Sequence, residues 1–231
     1  MTTRVAMFVD GFNFYYGVYR GAPLRSPEAT KWIDPLKLGT ALCRQLGVEG
    51  SIVRVHYCSA PALPGVGDPR QVTRQQHFFR ALSGLPNMVL TLGQHTENRK
   101  FVRRRGDDGR TAVGKPFPAL VREEKGSDVN LATFLVRDAA LDEFDTALLL
   151  SNDSDLVNAV RIAREDFGRT VIVVSPVING LRGKKARVTN QLKHAADHAL
   201  VLDVSLLVNC RLPDPAIDAS GREVHCPPEW H

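Results

Sequence analysis

Val5-Ala6-Met7-Phe8-Val9 runs without interruption into Asp10-Gly11-Phe12-Asn13. An unbroken apolar run of this length, bounded by valines, reads as a strand buried on both faces, as in a parallel sheet covered by helices. Asp10 then stands at the strand's carboxyl end. Gly11 permits a tight turn with close backbone approach, and Asn13 follows where a helix can begin. The same signature recurs at Ile52 to Tyr57, Met88 to Leu92, Ala147 to Leu150, Val171 to Val174 and Leu200 to Leu202. Between these runs, apolar residues return at helical spacing: Leu36, Leu38, Leu42, Leu46; Val72, Phe78, Phe79, Leu82; Val129, Leu131, Phe134, Leu135; Leu156, Val160, Ala163. The alternation predicts an α/β fold, a three-layer α/β/α sandwich with a mostly parallel, Rossmann-like central sheet made of right-handed βαβ units. Sites in such sheets form outside the carboxyl ends of the strands, so the residues ending each strand are the ones to inspect.

Working outward, the 231 residues are 43% hydrophobic and 24% charged, which excludes a disordered or fibrous chain. No apolar run approaches the roughly 18 to 20 residues of a membrane span, and Met1 to Asp10 is too soon interrupted for a signal-peptide core; no membrane and a cytoplasmic location are expected. Cys43, Cys58, Cys210 and Cys226 form no C-x-x-C pair and no zinc-finger spacing, so they read as free packing thiols. A single domain is expected over residues 1–208. It is interrupted by a Pro/Gly-rich loop from Pro61 to Pro69 and by a variable basic connection or hairpin over 98–118. Residues 209–231 read as an extended surface tail.

Acids fall where the topology predicts a site. Thr146-Ala147-Leu148-Leu149-Leu150 leads into Ser151-Asn152-Asp153-Ser154-Asp155, and Glu124-Lys125-Gly126-Ser127-Asp128 opens the strongest helical pattern in the chain. Each acid alone could serve as a helix cap or dipole partner. Capping does not readily account for two acids, two serines and an asparagine within five residues, and carboxylates crowded in a partly dry crevice repel unless a cation relieves them. Oxygen-only ligands suit Mg2+ or Mn2+, which bridge carboxylates to phosphate oxygens, and that chemistry points to phosphodiester hydrolysis.

The three motifs Val9-Asp10-Gly11-Phe12-Asn13, Glu124-Lys125-Gly126-Ser127-Asp128 and Ser151-Asn152-Asp153-Ser154-Asp155-Leu156 together resemble the NYN domains, a branch of the PIN-like ribonuclease superfamily that includes LabA- and DUF88-like proteins. The similarity runs from about Thr3 to about Asp203. It implies a PIN-like fold with a metal-dependent ribonuclease centre, in which Asp10, Asp128, Asp153 and Asp155 match the catalytic, metal-ligating acids. Asn13 and Ser151 match polar neighbours that place metal waters or phosphate, and Ser154 and Lys125 join them as substrate-binding candidates. Asn152 stands where many members have glycine. By analogy with the superfamily, the expected activity is an endoribonuclease leaving a 5′-phosphate.

The formal net charge is +5, concentrated in residues 99 to 125 and in an acid-free stretch from Gly168 to Ala196. Arg103, Arg104 and Arg105 in the long connection, and Lys184 and Lys185 after the fifth strand, are candidates for phosphate contacts. Phe12, Phe14, Tyr15, Tyr16 and Tyr19 crowd the first helix; helical spacing makes core packing the expectation for most, with one available to stack on a base. RNA is the expected partner, with a second copy or another protein left open. The alternative from another class is an RNA-binding or regulatory module with little turnover. A haloacid-dehalogenase-type phosphatase needs an acid where Phe12 stands, a toprim centre needs Glu at Asp10, and the histidines form no nuclease pattern.

Overall fold

The computed structural model describes residues 2–19, 31–63, 68–107, 112–177, 187–203 and 205–230. The six apolar runs form strands β1 (Thr3–Asp10), β2 (Gly50–Ser59), β3 (Met88–Leu92), β6 (Thr146–Leu150), β7 (Thr170–Ser175) and β8 (His198–Val201), with a small shift at the last. They make one central sheet in the order β3-β2-β1-β6-β7-β8, every neighbouring pair parallel. The sequence signal is this clear because the strands are buried on both faces. Val5, Met7 and Val9 of β1 enter one hydrophobic layer, while Ala6 and Phe8 enter the other, so no position along this stretch tolerates a polar residue until Asp10.

The first layer is covered by α1 (Gly11–Tyr19), α2 (Pro35–Leu46) and α3 (Gln71–Ser83). The second is covered by α4 (Ser127–Ala140), α5 (Val157–Arg161), whose end widens into a π turn over Ile162–Asp166, and α6 (Asn190–Ala195). Local sequence sets the helix ends. The Asp34 carboxylate accepts from the amides of Leu36 and Lys37 at the start of α2, Pro35 opens it, and Gly47 at φ 67° closes it. The result is the predicted α/β sandwich.

One alternative is decided and one expectation is revised. The connection over 98–118 is the middle of a long antiparallel hairpin, β4 (Gln94–Arg105) and β5 (Ala112–Lys125), which forms its own two-stranded sheet. Its strands are too charged to carry the continuous apolar signal of the central six. The final segment does not lie as a surface tail. After α7 (Ser205–Val208), Cys210, Leu212, Ala216, Val224, Cys226 and Trp230 are all buried in the first layer, and a small pair of strands, β9 (Ala216–Ile217) and β10 (Glu223–Val224), packs beside α3. Single apolar residues separated by prolines and polar groups show no period, so only tertiary packing reveals that they are inside. All four cysteines are free and buried, as expected.

Candidate metal and nucleic-acid site

The strand-end residues meet because β1 and β6 are adjacent and in register: Val9 pairs with Leu150, which sets Asp10 beside Ser151. The Ser151 hydroxyl donates to Asp10 Oδ2 at 2.9 Å and accepts from the Asp153 amide at 3.1 Å. Asp10 Oδ1 accepts from the Asn13 amide at 2.9 Å, and Asn13 Oδ1 accepts from the Asn152 amide at 3.0 Å. One side chain therefore locks each junction to the other. Gly11 makes this approach possible, because a Cβ there would fall 2.7 Å from the Tyr57 ring and 2.9 Å from the Cys58 carbonyl oxygen.

Capping explains part of the pattern. Asp10 caps α1 through Asn13, and Asp153 caps the turn Ser154–Leu156 by accepting from the Asp155 amide at 3.0 Å. It does not explain the charge. Burial raises the Asp10 carboxyl to about 6, against the lowering effect of the Asn13 and Ser151 hydrogen bonds, and the charges of Asp128 and Asp153 add to the rise. Asp128, at the start of α4 after Gly126 at φ 100°, is also raised, by burial and then by the charges of Asp153, Glu124 and Asp155. The four acids thus feel one another. Among the described residues none of them forms an ion pair with lysine or arginine.

That uncompensated negative charge fits a cation. Among the described residues no three His, Cys, Asp or Glu side chains form a ready-made coordination shell. Oxygen-only donors of this kind would suit Mg2+ or Mn2+, hard cations that keep much of their own water. A stability consequence follows. Because the folded pKa of Asp10 lies above its unfolded value of 3.8, ionising it opposes folding, so the metal-free protein loses stability as pH rises from about 4 through about 6. Between pH 5 and pH 7.5 the expected loss from this group is of the order of 1–1.5 kcal/mol, measured by urea denaturation in EDTA, and Asp10→Asn should flatten that dependence.

The other candidates take varied positions. Ser154 and Asp155 are exposed on the turn after β6, beside a shallow groove they share with Arg161. Lys125 ends β5 and pairs with Glu123 at 3.6 Å. Arg103, Arg104 and Arg105 are exposed near the far end of β4, about 30 Å along the strand from Gln94, so they stand at the tip of an arm rather than against the acids. Lys184 and Lys185 lie outside the described residues.

Sequence reasoning missed two features. Asn152, the residue standing in place of glycine, donates from Nδ2 to the Arg187 carbonyl at 3.1 Å and accepts from the Thr189 amide at 2.8 Å, which fastens the approach to α6 onto the site. Beside the acids there is also a cavity of about 510 Å3 with aromatic walls. Phe14 is buried in the core as expected and also borders this cavity, while Phe12, Tyr15 and Tyr16 line it from less buried positions. The i, i+4 spacing of Phe12 and Tyr16 was the available signal.

Known proteins share parts of this sequence and fold. A protein of Pseudomonas putida, named 6-hydroxy-3-succinoylpyridine 3-monooxygenase HspA, is 28% identical over 233 residues, covering 91% of this chain and 70% of that one. A crystal structure of a protein of unknown function from Vibrio parahaemolyticus aligns with a TM-score of 0.48 at 18% identity, over 87% of this chain and 94% of the other. The NYN domain profile matches residues 4–203, a span that contains both strand-end motifs, the start of α4 and the whole hairpin. With that match extending across the central sheet and all four acids, the chain belongs to the NYN domain family, a nuclease-type domain with a PIN-like fold.

Proposed function

We propose that this protein is a metal-dependent endoribonuclease. The observation that carries the reading is the set of mutually repelling acids, Asp10, Asp153 and Asp155 after β1 and β6 and Asp128 at the start of α4, left without basic partners among the described residues. Asp10, Asp128, Asp153 and Asp155 would hold Mg2+ or Mn2+, which when bound would supply positive charge for the scissile phosphate and acidify a water. The chain's own residues do the positioning. Ser151 and the Asn13 amide hold the two oxygens of Asp10 in fixed directions, leaving their remaining lone pairs to the site, and the Asp155 amide fixes one oxygen of Asp153. Asp128 adds negative charge from α4, and Asp155 does so from the turn after β6.

Purified protein incubated with labelled RNA and DNA in the presence of Mn2+, Mg2+ or EDTA should cleave RNA, stop in EDTA and recover on adding Mn2+. Cleavage persisting in EDTA removes the metal mechanism. Binding that depends on metal with no turnover favours the regulatory module. The hairpin arm gives a second expected outcome. Charge reversal of Arg103, Arg104 and Arg105 should weaken RNA binding and reduce the slope of log affinity against log salt by roughly one for each phosphate no longer neutralised. An unchanged slope excludes the arm from the RNA-binding surface.

One observation favours a second reading. The Pseudomonas putida relative is named as a monooxygenase of a hydroxypyridine, so this chain is also to be assayed for hydroxylation of that compound with dioxygen and a reductant. Hydroxylated product together with intact RNA would replace the nuclease reading.

A further inference from the structure

The aromatic cavity beside the acids has a composition that the hydrolysis of a sugar-phosphate backbone does not require. Its outer wall comes from α1, where the rings of Phe12 and Tyr16 stack at 17° with centroids 6.1 Å apart, and His95 of β4 packs edge-on to Phe12 at 6.2 Å. Its floor is the edge of the first core layer, Tyr57, Phe78 and Trp230, with Phe78 edge-on to both of the others. Phe12 and Tyr16 are therefore partly open aromatic surfaces facing a space already lined with rings. Core packing would have buried Tyr16, which instead remains 40% exposed.

Several of the polar groups around this space are already committed to protein partners. Gln75 is committed to the loop after β2, donating to the Ala60 carbonyl and accepting from the Ala62 amide, so it shapes the cavity. Arg74 and Arg122 line it, each held by carboxylates, Asp68 and Glu229 for the first and Glu97 for the second. The buried Nε2 of His95 has no hydrogen-bond partner among the described residues, an arrangement that costs free energy until a ligand atom satisfies it. A cavity of about 510 Å3 with aromatic walls and polar groups among them has the size and character of a small-molecule site.

Its position ties it to the chemistry. Gly11 lines the cavity and follows Asp10 directly, and Glu124, another lining residue, is close enough to influence Asp128. We infer that the cavity binds one planar heteroaromatic ring, seated between the Phe12–Tyr16–His95 wall and the Tyr57–Phe78–Trp230 floor, and presents the group attached to that ring to the acids. Under the nuclease reading, on which this form of the inference rests, the ring is a nucleobase next to the scissile phosphate. The same seat would take the ring of a free heteroaromatic acid. Flat rings are favoured over other apolar ligands because offset and edge-on stacking adds to area burial, and stacking is tolerant of which base is present.

The test is equilibrium binding to the full-length chain in Mg2+, with adenosine 5′-monophosphate and 6-hydroxynicotinic acid as separate probes, read by tryptophan fluorescence and by broadening of ligand NMR lines. At least one probe should bind at millimolar concentration or below. Tyr16→Ala, at an exposed position, and His95→Ala should each weaken it about tenfold with unchanged melting temperature. Binding of the nucleotide identifies a base seat, and binding of the pyridine acid alone identifies a small-molecule site; both support the ring. No binding of either probe, or binding unaffected by both substitutions, overturns the inference. Since no turnover is measured, failure of RNA cleavage with ring binding intact removes the nuclease reading alone, and cleavage without ring binding removes only this one.

Discussion

Asp10→Asn should abolish metal-dependent RNA cleavage, lowering the rate by more than about 100-fold, while the protein stays folded. The lower bound comes from comparison with outer partners of metal ligands, whose loss alone costs about 10- to 100-fold. Ser151→Ala, which removes one such partner by deleting the 2.9 Å hydrogen bond to Asp10, should fall within that smaller range. In Asp10→Asn the new side-chain amide oxygen can still accept from the Asn13 amide, so the turn into α1 persists. What disappears is a buried charge that opposes folding, so the metal-free variant should melt no lower than the parent at pH 7.5. Asp153→Asn is the independent check from the neighbouring strand. If either variant retains parental cleavage rates in Mn2+, the acid cluster is not the catalytic centre.

Asp138→Ala should be the most destabilising change on the opposite face of the sheet, at about 3–5 kcal/mol by urea denaturation. Asp138 is fully buried on α4, where its carboxylate accepts from His56 at 2.7 Å, from Arg54 at 3.2 Å and from Arg137 at 2.6 Å. His56 lies between the rings of Phe8 and Phe134, at centroid distances of 5.2 and 4.6 Å, with no route to another partner. Removing the acid leaves a buried imidazole unsatisfied in an apolar layer. Surface pairs provide the contrast: Arg4 with Asp142 and Asp145 is open to solvent, and breaking it should cost far less, because water screens the charges and solvates whichever partner remains. Burial raises the Asp138 carboxyl, but hydrogen bonds from His56 and Arg137 outweigh that and hold it at about 2. Its contribution is therefore present above the unfolded value of 3.8 and is lost as pH falls toward 2. A loss below about 1 kcal/mol in Asp138→Ala would show that the layer closes over the gap.

The residues that were easy to read are those with one environment along their whole length. Leu148, Leu149 and Leu150 are buried on both faces of β6, and Val171 to Val174 do the same on β7, so continuous apolarity marks both. The hairpin was harder because its environment is divided. His95, Glu124 and Arg122 face the cavity near its base, while Phe101 and Leu120 further out remain over 70% exposed, so neither burial nor solvent sets a uniform pattern. Trp230 was illegible for another reason: it fills a gap against Trp32 and Phe78, which lie far back in the chain, and local sequence carries no trace of those contacts.

By itself the sequence determined the order of the six central strands and the main crossover helices, the acids at the strand ends and the family they announce, because hydrophobic period and turn chemistry are local properties. Only the tertiary structure decided which strand lies beside which, and so placed Ser151 against Asp10, enclosed the aromatic cavity, sent the three arginines to the end of an arm and drew the last residues into the core. Those outcomes depend on contacts between distant segments, whose energy comes from packing and desolvation that no window of neighbouring residues contains.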